Sequence, residues 1–320
     1  MKKHSSITIR LNKMLLSFLI KRRLKKLKFN NPILWIYHPR YVDTIGKFKE
    51  GLIVYDCMDD FTSLLSDYED RGRNTGDEEV LLKKADMVFA GGYSIADLKR
   101  DSRERIHVFP SAVEIEHFKK ALSDNLAMPD DITDIPRPIL GYWGAIDERV
   151  DHELLKRLAM NHPEWSIVLL GPIVRHKVGD TSYLHETKNI FWLGPKDYSL
   201  LPSYAKAFDV CLIPFVLSRE GKFLSPTKTL EYLATGKPVV STPITDVVKF
   251  YHGVVRIADG PDEFGIAVKR CMEEDNASMK QRRINFTANK SWEDTVEKME
   301  KLILDKIEEK SSEKHFIRNK

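Results

Sequence analysis

The stretch Ser225-Pro-Thr-Lys-Thr-Leu-Glu-Tyr-Leu-Ala-Thr-Gly-Lys-Pro-Val-Val-Ser-Thr242 gathers the residue types that handle an anion. Ser225 is a good N-cap, Pro226 suits the first helical position, and Gly236 stops the helix before an apolar run at 238–242. A helix start presents free N–H groups and the positive end of the backbone dipole, which together favour a phosphate. Thr227 adds a hydroxyl donor and Lys228 a full charge. Glu231 follows one turn on, where a carboxylate could accept hydrogen bonds from a ribose diol. A well-capped structural helix would carry the same residues, and periodicity alone does not choose between the two.

A second cluster is Tyr55-Asp56-Cys57-Met58-Asp59-Asp60, with three carboxylates in five residues at the end of an apolar run. Asp56, and after it Asp59, are candidates for a general base or an acceptor from a sugar hydroxyl. The bland alternative is a set of N-caps before a helix. His38, after the run at 33–37, is a weaker candidate. Cys57, flanked by acids, is expected to have a raised thiol pKa and is no obvious nucleophile. No GxxxxGK[ST], HExxH or GxSxG pattern occurs, so NTPase, zincin and hydrolase chemistry have no support. No convincing loop carries a DxD metal clamp, and the site is expected to use neither metal nor cofactor.

These residues need strands to place them. ILWIY (33–37), LIVYD (52–56), DMVFA (86–90) and IHVF (106–109) read as strands, with helices over 78–85 and 94–100. Residues 119–138, with Pro and Asp, read as a linker. A second series follows: PILGYWG (138–144), IVLLG (167–171), NIFWLG (189–194), DVCLIPF (209–215), PVVST (238–242) and GVVRI (253–257), with helical stretches between. Near-continuous apolar strands alternating with helices imply parallel sheets covered on both faces. The α/β architecture expected is two Rossmann-like domains facing across a cleft, with ligands beyond the carboxyl ends of the strands. The divisions are 1–130, 131–290, and a closing helix with a frayed tail over 291–320.

The 320 residues are 42% apolar and 31% charged, which suits a globular protein of about two domains. Three scattered cysteines without CxxC spacing argue against a disulfide framework or zinc site and fit a reducing cytoplasm. With a mean hydropathy of −0.35 and no apolar run near the ~18 residues of a span, neither a transmembrane helix nor secretion is expected. Eleven of the cations lie in residues 1–42 with no acid, so an overall charge of +4 leaves −7 for residues 43–320. No zinc-finger, RNP or heptad pattern supports nucleic-acid binding. Within 9–28, Leu11, Met14, Leu15 and Phe18 recur at helical spacing ahead of Lys21, Arg22, Arg23, Lys25, Lys26 and Lys28. Such a helix could lie on an anionic membrane surface, or pack its stripe on its own domain and leave the lysines in water.

SPTKTLEYLATGKPVVST resembles the nucleotide-diphosphate segment of GT-B glycosyltransferases, in particular bacterial family 1/4-like enzymes of surface polysaccharide synthesis. LGYWGAIDERVD (140–151), WSIVLLGP (165–172), the segment 189–215, VFPSAVEIEHF (108–118) and the closing helix 283–303 are similar to other family segments, in matching order. The resemblance spans about residues 31–305. It implies a nucleotide-sugar donor, UDP- or GDP-based, and a glycan or lipid-linked acceptor at the cytoplasmic membrane face. It also implies that Gly144 lets the diphosphate approach the backbone, that Arg149 reaches its charge, and that Gly171 closes a strand at the site. Retaining members carry a Glu-x7-Glu pair. Glu231 matches its second member, but Phe223 stands at the first and Glu220 is out of register, so the stereochemical course is unassigned. Ser111-Ala112 replaces the usual Asn-Gly, and the N-terminal domain lacks its first strand and glycine loop. A nucleotide-sugar 2-epimerase of the same fold, or a non-catalytic partner subunit, are the alternatives.

Overall fold

The computed structural model describes residues 6–60, 68–99, 105–174, 181–217 and 225–318. The chain divides into two units, Met1–Phe109 with Lys301–Lys320, and Pro110–Glu300.

The first unit holds α1 (Ser6–Lys26), β1 (Ile33–Ile36), β2 (Leu52–Cys57), α2 (Tyr68–Lys84), β3 (Met87–Ala90), α3 (Tyr93–Leu98) and β4 (Ile106–Val108). Its strands are parallel and lie side by side in chain order. The two-residue alternation of strands splits each run between faces. Ile36, Tyr55, Cys57, Val88 and Ala90 form a core with Leu81 and Ile95 of the helices, while Asp56 turns the other way, to the indole of Trp35. Inside the core the Tyr55 hydroxyl donates to Glu78 at 2.7 Å, and Glu78 holds the Lys99 ammonium at 2.6 Å. Burial and Glu78 push the Cys57 thiol up to about 12, so the raised pKa has a different cause from the flanking aspartates.

Helix α1 packs by the side opposite to its apolar stripe. Ser17 is buried and Lys13, Ile20 and Leu24 are half-buried. Lys13 is fastened by the Arg40 carbonyl at 3.0 Å and the Asp43 carboxylate at 3.1 Å. Leu11, Met14, Leu15 and Phe18 are each about 60% exposed, so packing of the stripe on its own domain does not occur. No helix among the described residues is long and apolar enough to cross a membrane.

The second unit begins with two short helices, α4 (Ile115–Lys119) and α5 (Asp130–Thr133), ahead of β5 (Ile139–Trp143). Then follow α6 (His152–Asn161), β6 (Ser166–Leu170), α7 (Tyr183–Glu186), β7 (Ile190–Gly194), α8 (Leu201–Ala207) and β8 (Val210–Ile213). The last part is α9 (Lys228–Ala234), β9 (Val239–Ser241), α10 (Thr245–Phe250), β10 (Arg256–Ile257), α11 (Gly260–Glu274) and α12 (Ala277–Thr287). The sheet is parallel, in the order β10-β9-β8-β5-β6-β7. The chain builds outward from β5 through β6 and β7, then crosses back to lay β8 on the other side. At such a reversal the loops after the two central strands diverge and open a crevice beyond their carboxyl ends. Among the described residues the first sheet has no such reversal, and a crevice of this kind belongs to the second.

Helix α13 (Trp292–Arg318) crosses the division between the units. Ser291 caps it, its Oγ accepting from the Asp294 N–H at 3.0 Å. Lys310 pairs with Asp86 at 2.6 Å, so the far half belongs to the first unit. The helix runs on through 311–318, where the sequence reads as a frayed tail.

The division falls at 109/110, not at 130, and residues 119–138 are not a linker. Phe118, Ala121, Ile132 and Ile135 are buried in the second unit's core, and the Val113 N–H donates to the Lys290 carbonyl at 3.0 Å. Apolar anchors this widely spaced, among prolines and acids, escape a reading by periodicity. Phe118→Ala should therefore destabilise the second unit by about 3–5 kcal/mol, as loss of a buried aromatic does. Urea unfolding measures it, and a change within about 0.5 kcal/mol would return the segment to a linker.

Candidate functional site

The loops after β5 and β8 meet the start of α9 at the strand-order reversal. Tyr142 and Trp143 end β5 and Gly144 follows, while Phe215 follows β8. Into this corner α9 sends the side chain of Lys228. Its Nζ lies 4.6 Å from the centroid of the Phe215 ring and 5.3 Å from that of Tyr142. A Cβ placed on Gly144 would stand 3.3 Å from the same Nζ, so the ammonium sits against the backbone of the β5 loop. Among the described residues no hydrogen-bond acceptor or ion-pair partner holds it. Burial, helped by the nearby Arg149 charge, lowers its pKa to about 8. An ammonium kept between ring faces without an acceptor is arranged to meet an anion.

Glu231 lies one turn further along α9, on the same side. Its Oε2 accepts from the Trp143 indole N–H at 2.7 Å, and Oε1 keeps its acceptor capacity. The Trp143 backbone N–H donates to the Tyr232 hydroxyl at 3.0 Å, and its ring packs on Tyr232, Phe118 and Phe208. The carboxylate is thus held by an immobile partner. Burial raises its pKa, against the Trp143 hydrogen bond and the charges of Lys228 and His117, which lower it. Glu114, His117 and Tyr198 complete this wall. The His117 and Tyr198 rings stack at 4.6 Å, and burial together with Glu231 and Glu114 pushes the Tyr198 phenol up to about 12.

Gly144 and Gly171 work as a pair. Gly144 has φ +135 and Gly171 φ +146, and a Cβ on Gly171 would come within 1.9 Å of the Gly144 carbonyl oxygen. Gly171 therefore supports the β5 loop from below. Trp192 fastens the same turn, its indole N–H donating to the Gly171 carbonyl at 2.8 Å.

Several expected residues sit differently. Helix α9 begins at Lys228, with Thr227 at the N-cap and no side-chain cap. Ser225 and Pro226 precede it, and the Pro226 carbonyl accepts from the Thr229 N–H at 3.0 Å. Seven residues give a weak dipole, so Lys228 itself is the local positive charge. Arg149 remains near, since its charge acts on Lys228, but its Nε and Nη2 are committed to the buried Asp147, at 3.0 and 2.6 Å. Glu220 and Phe223 lie outside the described residues.

In the first unit the acidic cluster disperses. Asp56 is buried at the end of β2, its Oδ2 accepting from Trp35 Nε1 at 3.1 Å and its Oδ1 without a partner among the described residues. Burial raises its pKa. Asp59 is exposed, and Asp60 is buried 3.8 Å from the Lys99 ammonium. Burial and Arg40 lower the pKa of His38, whose Nδ1 accepts from the Arg40 N–H. Sequence reasoning missed Tyr142, Trp143, Phe215, Glu114, His117 and Tyr198. The signal available was an aromatic pair directly before Gly144 and the acid and histidine of VEIEHF.

The chain matches known proteins at three levels. Residues 137–274 match the family model for Glycosyl transferases group 1. A Bacillus subtilis (strain 168) protein named as a teichuronic acid biosynthesis glycosyltransferase, TuaH, is 25% identical over 277 residues, covering 81% of this chain and 68% of its own. Among solved structures, HepE of Anabaena, crystallised with UDP, superposes with a TM-score of 0.69 at 13% identity, covering 91% of this chain and 82% of its own. Sucrose-phosphate synthase of Thermosynechococcus elongatus does so at 0.66 and 15% identity, covering 91% and 77%. The fold is the two-domain α/β arrangement of GT-B proteins.

The lowered pKa of Lys228 has a measurable consequence for stability. Between about 8 and the ordinary lysine value the folded state binds fewer protons than the unfolded one, so stability rises with pH through that window. At neutral pH the desolvated charge costs stability. Lys228→Met keeps the ring contacts without the charge and should stabilise the free protein by about 1–3 kcal/mol at neutral pH. The gain should shrink as pH rises from about 8 toward 10. Urea unfolding at several pH values tests this, and a variant that loses stability at neutral pH would mean that the ammonium has an acceptor in the free protein.

Proposed function

We propose, from the premise that residues 137–274 form a domain of the Glycosyl transferases group 1 family, how this glycosyltransferase holds its donor. It moves a sugar from a nucleoside-diphosphate donor, a UDP- or GDP-sugar, to a glycan or lipid-linked acceptor in cell-surface polysaccharide synthesis. The observation that carries the reading is the Lys228 ammonium, without an acceptor among the described residues, at the β5/β8 reversal, with the Glu231 carboxylate one turn away. UDP bound to HepE supports a uridine donor, and the teichuronic acid context of TuaH supports a surface polysaccharide.

In this reading Lys228 neutralises the diphosphate as the bond to the sugar breaks and the electron pair leaves with phosphate oxygen. Gly144 lets the diphosphate lie against the β5 loop, with Ser225, Pro226 and Thr227 beside it. Arg149 adds charge at a distance, its guanidinium being held by Asp147. Glu231 accepts from the ribose hydroxyls. A lysine in this position needs no metal, and transfer should persist in a chelator. On the acceptor side Asp56 takes the proton of the attacking hydroxyl. A buried carboxyl with a raised pKa and a free Oδ1 suits a base better than exposed Asp59. The enzyme works at the cytoplasmic face of the membrane.

If Glu231 accepts from the ribose, the 2′-OH must matter. A hydrogen bond to a charged group contributes about 1.5–3 kcal/mol, so 2′-deoxy-UDP should bind about ten- to a hundredfold more weakly than UDP. Glu231→Ala should weaken UDP to a similar degree and abolish the preference for ribose, whereas Lys228→Ala should weaken both nucleotides alike. Calorimetry on the four protein–ligand combinations gives the coupling energy. A coupling near zero in a folded Glu231→Ala protein would leave this glutamate as a helix-surface residue.

Asp56→Asn preserves shape and removes the base. Turnover should fall at least about 100-fold with donor binding little changed. If turnover survives there and is lost in Asp59→Asn, the base is Asp59. Full turnover in both variants would make the cluster structural. Turnover without an acceptor would point to an epimerase, and none with any donor to a non-catalytic subunit.

A further inference from the structure

Leu11, Leu15, Phe18, Arg22 and Lys26 follow one line along α1, at spacings of four, three, four and four residues. That line is opposite to Lys13, Ser17, Ile20 and Leu24, by which the helix packs. Met14 and Leu19 flank the apolar part and are also exposed. Lys25 flanks the basic part. The outward face therefore changes from apolar to cationic along the axis, over about 22 Å from Leu11 to Lys26. An ordinary surface helix does the reverse, turning its apolar residues inward and its charges outward. Helix α1 carries seven cations and no acid, in a chain whose residues 43–320 carry a net −7. Leu27 and Phe29, just beyond the helix end, are exposed as well.

We infer that α1 is a membrane-docking helix for an anionic lipid bilayer, with Leu11, Met14, Leu15, Phe18 and Leu19 set among the acyl chains and Lys21, Arg22, Arg23, Lys25 and Lys26 on the headgroup phosphates. Charge complementarity selects this occupant. A second copy of the chain would bring five more cations to the same face, and like charges in one interface repel. A neutral apolar partner would leave the basic half unmatched. The helix docks and does not cross, since its apolar part is about half the length of a span. Its hold on the first unit, through Lys13 to Asp43 and the Arg40 carbonyl, uses only the inward side, so docking requires no rearrangement of the core. The inference extends the membrane-face reading and is independent of the donor chemistry.

Vesicle co-sedimentation of the full chain tests it. Phosphatidylcholine vesicles with roughly one-third phosphatidylglycerol should pellet the protein and pure phosphatidylcholine should not. Binding should weaken as salt rises from about 0.05 to 0.5 M. Leu15→Glu with Phe18→Glu should abolish binding with every cation retained. Replacing Lys21, Arg22, Arg23, Lys25 and Lys26 by Gln should weaken it about tenfold or more. All these side chains are exposed, and thermal melts should stay within about 2 °C of the parent protein. Absence of binding to the anionic vesicles would overturn the inference, as would binding unchanged by both variants. So would a dimer in sedimentation equilibrium that Leu15→Glu with Phe18→Glu dissolves while no vesicle binding is seen. UDP affinity, measured on the same proteins, should be equal for parent and variants. A chain that binds vesicles but not UDP would leave the docking helix standing and remove the donor reading.

Discussion

Lys228 stands where two central strands of a parallel sheet part company, and the reversal of strand order puts it there. Parallel strands need crossover helices, and a chain that builds one way from β5 must return to lay β8 on the other side. The loops after β5 and β8 cannot both cover the resulting gap, so the crevice is a product of topology before any side chain is chosen. What the sequence adds is an ammonium inside it. Removing such a charge from water costs free energy, and the faces of Tyr142 and Phe215 return only part of it. The remainder shows as a pKa drawn down to about 8. A natural core would have replaced this lysine or given it a carboxylate, and Asp147 is close enough to affect it. Yet Asp147 is taken by Arg149 and Glu231 by the Trp143 indole, so neither of the acids that act on Lys228 pairs with it.

The elements around it make the corner rigid. Gly171 lies under the Gly144 carbonyl so closely that no other residue type fits, and Trp192 ties that turn to β7. Trp143 gives its backbone N–H to Tyr232 and its indole N–H to Glu231, so β5 and α9 are joined at two points of one residue. The two charges of α9 are thereby placed against a loop that cannot drift. Preorganisation of this kind is what electrostatic stabilisation of a leaving group requires, because dipoles and charges already in place need no reorganisation during the reaction.

The strands of both sheets were legible because buried parallel strands are apolar runs bounded by turn residues, and all ten expected runs form strands. The run of Lys228 and Glu231 was legible because Ser, Pro and Gly punctuate it. The helix start was not. Ser225-Pro226 reads as a cap, but Pro226 packs inward and the first helical turn opens two residues later. The boundary near 110 was hidden because Val113, Phe118, Ile132 and Ile135 are too far apart to show a period. The aromatic seat of Lys228 is assembled from Tyr142 and Phe215, which are distant in sequence, so only the fold brings them together. Arg149 shows the converse limit: its type and position fit a phosphate, but Asp147, two residues before it, claims its guanidinium.

A consistent sequence satisfies its polar groups, covers its apolar faces and pairs its buried charges, and departures from consistency concentrate where a protein meets something else. Three departures stand out in this chain. Among the described residues Lys228 is a desolvated cation without an acceptor, Asp56 is a buried carboxyl with one oxygen unserved, and α1 turns leucines and a phenylalanine to solvent while hiding a serine. Each is destabilising for the free protein, and the reading proposed above gives each a partner of different chemistry: a diphosphate, a hydroxyl proton, a lipid surface. Donor, acceptor and membrane surface are the three partners proposed above. The proposed reading assigns one unfinished interaction to each of them.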